Sequence, residues 1–135
     1  MNNMNLADIN EYSYNLKLKN GIWFSNTNNE IFYPTEAYDE YFQLEEKSFW
    51  FIHRNNCIIE TIKNFPPSGY IFDIGGGNGY VSYGLEKNAI PTYLVDPGID
   101  AIRNAQKRDL KNLICSSFED ADFHKIGMQE YFLSG

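Results

Sequence analysis

Ile71-Phe72-Asp73-Ile74-Gly75-Gly76-Gly77-Asn78-Gly79 is the stretch on which the reading of this chain turns. Tyr70-Ile71-Phe72 is a short apolar run of strand type, bounded by glycine. The glycine-rich loop that follows opens a helix from Tyr80 to about Lys87, with Val81 and Leu85 four residues apart. Outward from this unit the pattern repeats. Pro91 introduces a second strand, Tyr93-Leu94-Val95, closed by Asp96-Pro97-Gly98. A helix over Asp100–Lys107 turns Ile102 and Ala105 inward, and Asn112-Leu113-Ile114-Cys115 is a third strand. Upstream, Ser48 is placed to cap a helix that runs to about Phe65, where Pro66-Pro67 stops it. Strands separated by helices at these lengths predict an α/β fold with a parallel sheet, Rossmann-like and three-layered.

The flanks are less patterned. Residues 1 to about 20 are polar and rich in Asn, and read as a poorly ordered arm or one short helix. Residues 21–47 scatter Trp23, Phe24, Phe32, Tyr33, Tyr38, Tyr41 and Phe42 among polar residues, so this segment is expected to pack over a core edge or a ligand. A short helix fits Phe118 to about Ile126, and Tyr131-Phe132-Leu133 begins a fourth strand. The expected organisation is an aromatic-rich arm over 1–44 and one domain over 45–135.

At 135 residues the chain is long enough for one domain with a real core. A composition 43% hydrophobic and 16% aromatic marks a globular protein. The net charge of -7 argues against a nucleic-acid partner, which needs a basic face. The run Lys107, Arg108, Lys111 reads as a solvated helix end. Cys57 and Cys115 lie far apart and form no CxxC pair; both are expected to be buried, reduced thiols, with no metal site. No leader-like apolar segment and no span of about 18 apolar residues occurs, so no membrane partner and a cytoplasmic location are expected.

The loop spacing separates ligand classes. A dinucleotide fingerprint starting at Gly75 would put Tyr80 where a small residue belongs, and no Lys follows Gly79 as a P-loop requires. What stands is D-x-G-x-G-x-G, with Asp73 at the strand end. An acid there repels a pyrophosphate and suits a ligand with an ammonium group and a sulfonium centre. Asp96, at the end of the neighbouring strand, is placed to accept both hydroxyls of a ribose. The competing account is a tight turn with a helix-capping Asp.

Over residues 45 to 123 the sequence resembles the class I S-adenosylmethionine-dependent methyltransferases. Ile71 to Gly79 is similar to that family's first motif and Leu94-Val95-Asp96-Pro97 to its second. The resemblance implies a cofactor site made of Asp73, Gly75, Gly76, Gly77, Asn78 and Gly79 for the methionine moiety and Asp96 with Pro97 for the ribose. Where the third motif places an acid, this chain has Ser117 with Phe118 beside it. Ser117 is then the hydrogen-bonding partner of the adenine edge, and the Phe118 N–H serves adenine N1; packing in the core is the other reading of Phe118. Ser48 to Arg54 resembles the aromatic-plus-Arg helix start of many bacterial members, so Arg54 is a candidate for the methionine carboxylate or else a surface Arg. Tyr38, Tyr41, Trp50 and His53 are candidates to line the acceptor site or simply to pack; His124 reads as structural.

The resemblance implies methyl transfer to an acceptor, expected to be a small molecule, with no catalytic base identified. The family's sheet has seven strands in the order 3-2-1-4-5-7-6, against three or four here, so the chain reads as a truncated or reduced member. A homodimer or higher oligomer is expected to cover the open sheet edge. Two alternatives stand beside this: a non-catalytic cofactor-binding or oligomerising fragment, and a nucleotide-dependent oxidoreductase, which the glycine spacing disfavours.

Overall fold

A computed structural model describes residues 9, 13–25, 48–121, 123 and 132–134. Its elements, in chain order, are β1 (Leu16–Lys19), β2 (Ile22–Ser25), α1 (Phe49–Asn64), β3 (Ile71–Ile74), α2 (Tyr80–Lys87), β4 (Thr92–Asp96), α3 (Ile99–Gln106), β5 (Leu113–Cys115) and β6 (Phe132–Ser134). They form one six-stranded sheet in the order β1-β2-β5-β4-β3-β6. All neighbours are parallel except β1 and β2. This is a mixed α/β architecture compatible with a Rossmann-like fold.

The parallel centre follows from side-chain alternation. Ile71, Leu94 and Leu113 face the helices and pack with Ile59, Ile62 and Leu85 or with Ile22, Ile102, Ala105 and Leu110. Phe72, Tyr93, Val95 and Ile114 face the other way, onto Ile9, Leu16, Ala121 and Phe123. A strand buried on both faces reads as a continuous apolar run rather than an alternating one, which is why three-residue runs sufficed to locate β3, β4 and β5. On the second face, aromatic rings form a chain. Tyr70 meets Tyr93 edge-on at 5.3 Å, Tyr93 stacks on Phe72 at 5.5 Å, and Phe72 meets Phe123 edge-on at 5.3 Å.

Residues 16–20 differ from the expectation of a loose arm or helix: with 21–25 they form a hairpin that extends the sheet, while Trp23 and Phe24, from the aromatic-rich segment, pack against the core as expected of it. The cause is local. Asn20 and Gly21 both have positive φ, 52° and 79°, and Lys19 pairs directly with Ile22. A two-residue loop of this conformation matches strand twist, and Asn-Gly is its preferred sequence. Ile22 and Phe24 join the helix-side core, while Leu16 and Trp23 join the aromatic face. Polar side chains fasten the hairpin: the Ser13 hydroxyl donates to the Ala121 carbonyl, the Asn15 amide to the Asp120 carbonyl, and Gln106 Nε2 to the Asn20 carbonyl at 3.2 Å. The β5 edge is therefore covered within the chain.

Further expectations are corrected. Ser48 sits at the start of α1 with extended backbone, and its carbonyl accepts the Ile52 N–H at 3.1 Å, but its hydroxyl makes no capping bond. Residues 118–121, where the short helix was expected to start, form a turn closed by the Ala121 N–H on the Ser117 carbonyl at 3.2 Å, and the remainder of that stretch to Ile126, Phe123 apart, lies outside the described residues. Cys57 is exposed and Cys115 half-buried, so neither is a fully buried thiol. The basic run also separates: Arg108 turns inward over the Tyr80 ring at 5.2 Å, while Lys107 and Lys111 remain exposed. The fourth strand stands beside β3, one residue beyond its expected position. No helix among the described residues is long and apolar enough to cross a membrane.

Candidate functional site at the carboxyl ends of the central strands

β3 lies between β4 and β6, and the chain moves outward through β4 and β5 before returning to β6. The order reverses at β3. In open parallel sheets ligands bind at the carboxyl ends of the strands beside such a reversal. The glycine loop opens there.

The loop has a defined shape. Gly75 donates its N–H to the Val95 carbonyl at 2.8 Å, and Gly79 to the Gly76 carbonyl at 3.0 Å. Gly75, Gly77 and Gly79 all have positive φ, a region costly to residues with a Cβ. At Gly75 and Gly77 a Cβ would meet no atom within 4 Å, so the backbone there faces open space. Gly76 differs: a Cβ would stand 2.5 Å from Asp73 Oδ2 and closer still to Leu94. Gly76 thus permits close packing, whereas Gly75 and Gly77 present bare backbone.

Two acids hold this loop. Asp73 lies beneath Gly76, fully buried, and Ser82 on α2 donates its hydroxyl to Asp73 Oδ2 at 2.7 Å. Asp73 Oδ1 has no hydrogen-bond partner among the described residues. Burial pushes the Asp73 carboxyl up to about 6, against the opposing pull of the Ser82 bonds; the charge of Asp96 adds to the rise, and that of Arg54 opposes it. Asp96, at the end of β4, accepts the Gly77 N–H on Oδ2 at 3.0 Å and the Gly98 N–H on Oδ1 at 2.8 Å. Burial raises its carboxyl too, against these two bonds. Each Asp96 oxygen retains a lone pair for a further donor.

The remaining expected residues fall around this centre. Asn78 is buried, and its Oδ1 accepts from Asn104 Nδ2 at 3.1 Å, so α3 braces the loop; Lys107 Nζ donates to Asn104 Oδ1 at 3.1 Å. Pro97 is half-buried, and its carbonyl faces Cys115 Sγ at 3.7 Å. The Ser116 N–H bonds the Asp96 carbonyl at 3.1 Å, which sets Ser117 beside the end of β4. Ser117 Oγ accepts the Asp120 N–H at 3.1 Å and keeps its own proton to donate. Phe118 is partly exposed, and its ring stacks on the core residue Phe123 at 5.7 Å. Arg54, half-buried on α1, acts on Asp73 through its charge. Phe51 meets Tyr80 edge-on at 6.4 Å, which leans the start of α1 toward the loop.

Trp50 and His53 are exposed on α1. Tyr38, Tyr41 and His124 lie outside the described residues. The sequence reading missed Ser82, Asn104 and the clamp between Asp96 and Gly77. Ser82 follows Asp73 by nine residues, where strand, loop and first helical turn bring it back over the strand end, but a lone serine carries no pattern. No group of three or more potential metal ligands occurs among the described residues. No family model and no curated protein matches this chain.

Proposed function

We propose that this chain binds S-adenosylmethionine across the carboxyl ends of β3, β4 and β5 and is a class I methyltransferase acting on a small-molecule acceptor. One observation carries the reading: the D-x-G-x-G-x-G loop after β3 is bonded to the acid that ends β4, beside the point where strand order reverses. Bare backbone at Gly75 and Gly77 offers room for a ligand. The unpartnered Asp73 oxygen, buried with a second carboxyl nearby, favours a cationic ligand over a pyrophosphate. Asp96 and Pro97 suit the ribose, and Ser117 with Phe118 the base, with the exposed Phe118 ring as a stacking surface.

When bound, the cofactor supplies the electrophilic methyl group. The chain's own part is to orient and desolvate. Asp73 acts from beneath Gly76, by its field rather than by contact. Asp96 couples ribose binding to loop shape, because the carboxylate that would receive the hydroxyls already holds the Gly77 N–H. Arg54 offsets part of the burden on Asp73 and stands ready for a ligand carboxylate.

Association belongs to the same reading. Among the described residues β6 pairs on one side only, with β3, and a second copy pairing there would cover that edge.

Calorimetric titration with S-adenosylmethionine, with NAD as comparison and Asp96→Ala as control, tests the proposal. Binding of the first ligand alone, weakened in the variant, is expected. No binding at millimolar ligand overturns it. Binding without methyl transfer to any acceptor would favour the non-catalytic alternative.

A further inference from the structure

The outward row of α1 carries Phe49, His53, Cys57 and Thr61 at every fourth position. Residues so spaced stand above one another on one helix face. His53 and Cys57 are both exposed, and Cys57 Sγ lies 3.7 Å from His53 Nε2. The ring is oriented from the preceding turn: Phe49 stacks on it with centroids 6.0 Å apart and planes 8° from parallel. Below the pair, Thr61 Oγ1 donates to the Cys57 carbonyl at 2.8 Å, satisfying the backbone beneath the thiol.

The separation of the two donor atoms is informative. A tetrahedral zinc ion holds a thiolate sulfur at about 2.3 Å and an imidazole nitrogen at about 2.0–2.1 Å, which makes the sulfur–nitrogen edge about 3.6 Å. The pair already stands at that edge. Four-residue spacing is also how a single helix offers two imidazoles to zinc in H-E-x-x-H sites. Sulfur and imidazole together select borderline or soft ions over magnesium or calcium.

We infer that His53 and Cys57 form a two-donor chelating site for a zinc-class divalent ion on the outer face of α1. No third Asp, Glu, His or Cys joins them among the described residues. On binding, the thiol proton passes to solvent as Sγ becomes a ligand; the imidazole binds neutral through Nε2, and nothing is oxidised or reduced. The opposite face of α1 carries Asn55, Ile59 and Ile62 into the protein. The ion site is therefore separate from the glycine loop and independent of the cofactor reading.

The test is titration of the full chain with cobalt(II), then zinc, in a phosphine reductant. Expected is a sulfur-to-cobalt charge-transfer band that saturates and is displaced by zinc. Cys57→Ser should abolish it, and His53→Ala should weaken cobalt binding by about tenfold or more, the loss of one of two protein ligands. Both side chains are exposed, so far-UV circular dichroism and the urea midpoint should match the parent. Cys115, the other thiol, is held half-buried and pushed up to about 11 by burial, with Asp96 adding to the rise. A band that persists in Cys57→Ser, an affinity unchanged in His53→Ala, or no saturating band at millimolar cobalt would each overturn the inference.

Discussion

Replacing Asp73 by Asn isolates the energetic burden of the buried acid. In the folded chain this carboxyl titrates near 6 instead of at its ordinary 3.8, because burial disfavours its charge. The proton is therefore held about 3 kcal/mol more tightly when folded than when unfolded. The sign follows from proton counting. Between the two values the folded state binds more protons than the unfolded one, so stability is greatest below 3.8 and falls as pH rises to about 6. Asn carries no charge at any of these values and retains an oxygen to accept from Ser82. Its amide also introduces a buried donor, but that cost does not vary with pH. Urea unfolding of parent and Asp73→Asn from pH 4 to 7.5 should thus show the parent losing about 2.4 kcal/mol relative to the variant, the part of the total that remains above pH 4. Parallel profiles would refute the reasoning, whatever the offset between them. The ligand reading adds a second slope: affinity for a cationic ligand should fall about tenfold per pH unit once pH drops below that of the folded carboxyl.

The glycines should divide by mechanism. Gly76→Ala drives a methyl into Asp73 and Leu94 and is expected to cost about 1–3 kcal/mol in urea unfolding. Gly77→Ala meets open space and strains only φ, so a smaller loss of about 1–2 kcal/mol should accompany a disproportionate loss of S-adenosylmethionine binding by calorimetry. Asp96→Ala removes the acceptor of the Gly77 N–H, and hydrogen exchange at Gly77 should accelerate while the β4 ladder stays protected. Gly21→Val places a branched side chain at a φ of 79° and should lower stability by about 1–2 kcal/mol, read as a reduced urea midpoint. Sedimentation velocity across micromolar concentrations should show self-association through β6, reduced by a Pro at Leu133; a monomer throughout would count against edge pairing.

The central layer was legible because its signals are local. Gly79 and Asn88 bracket Tyr80–Lys87, and the apolar cores of β3, β4 and β5 needed no partner to be recognised. The candidate site was legible to the same extent, since each expected loop residue and Asp96 sits at adjacent strand ends. The hairpin went unread because composition was weighed over twenty residues, and the polar Asn content outvoted a two-residue turn. Asn20-Gly21 between Leu16, Leu18, Ile22 and Phe24 was the available signal. Ser82 and Asn104 were not legible, because their roles arise only when strand and helix ends meet in space. Ser48 shows the opposite failure: a favourable capping residue whose hydroxyl is not used.

The covered β5 edge has a consequence for the order in which the chain is assembled. β2 and β5 pair across about ninety residues of sequence, so that contact closes one of the longest loops in the molecule. The hairpin itself is local and forms on the microsecond scale. During synthesis it leaves the ribosome before β5 does, as a two-stranded ribbon too small to persist alone. It becomes permanent only once Leu113–Cys115 has emerged and docked beside it. Trp23, opposite Ile114 in that pairing, moves into the aromatic face at the same moment. The hairpin is thus translated well before β5 but fixed only with it, and a chain stalled before residue 113 leaves that ribbon unanchored.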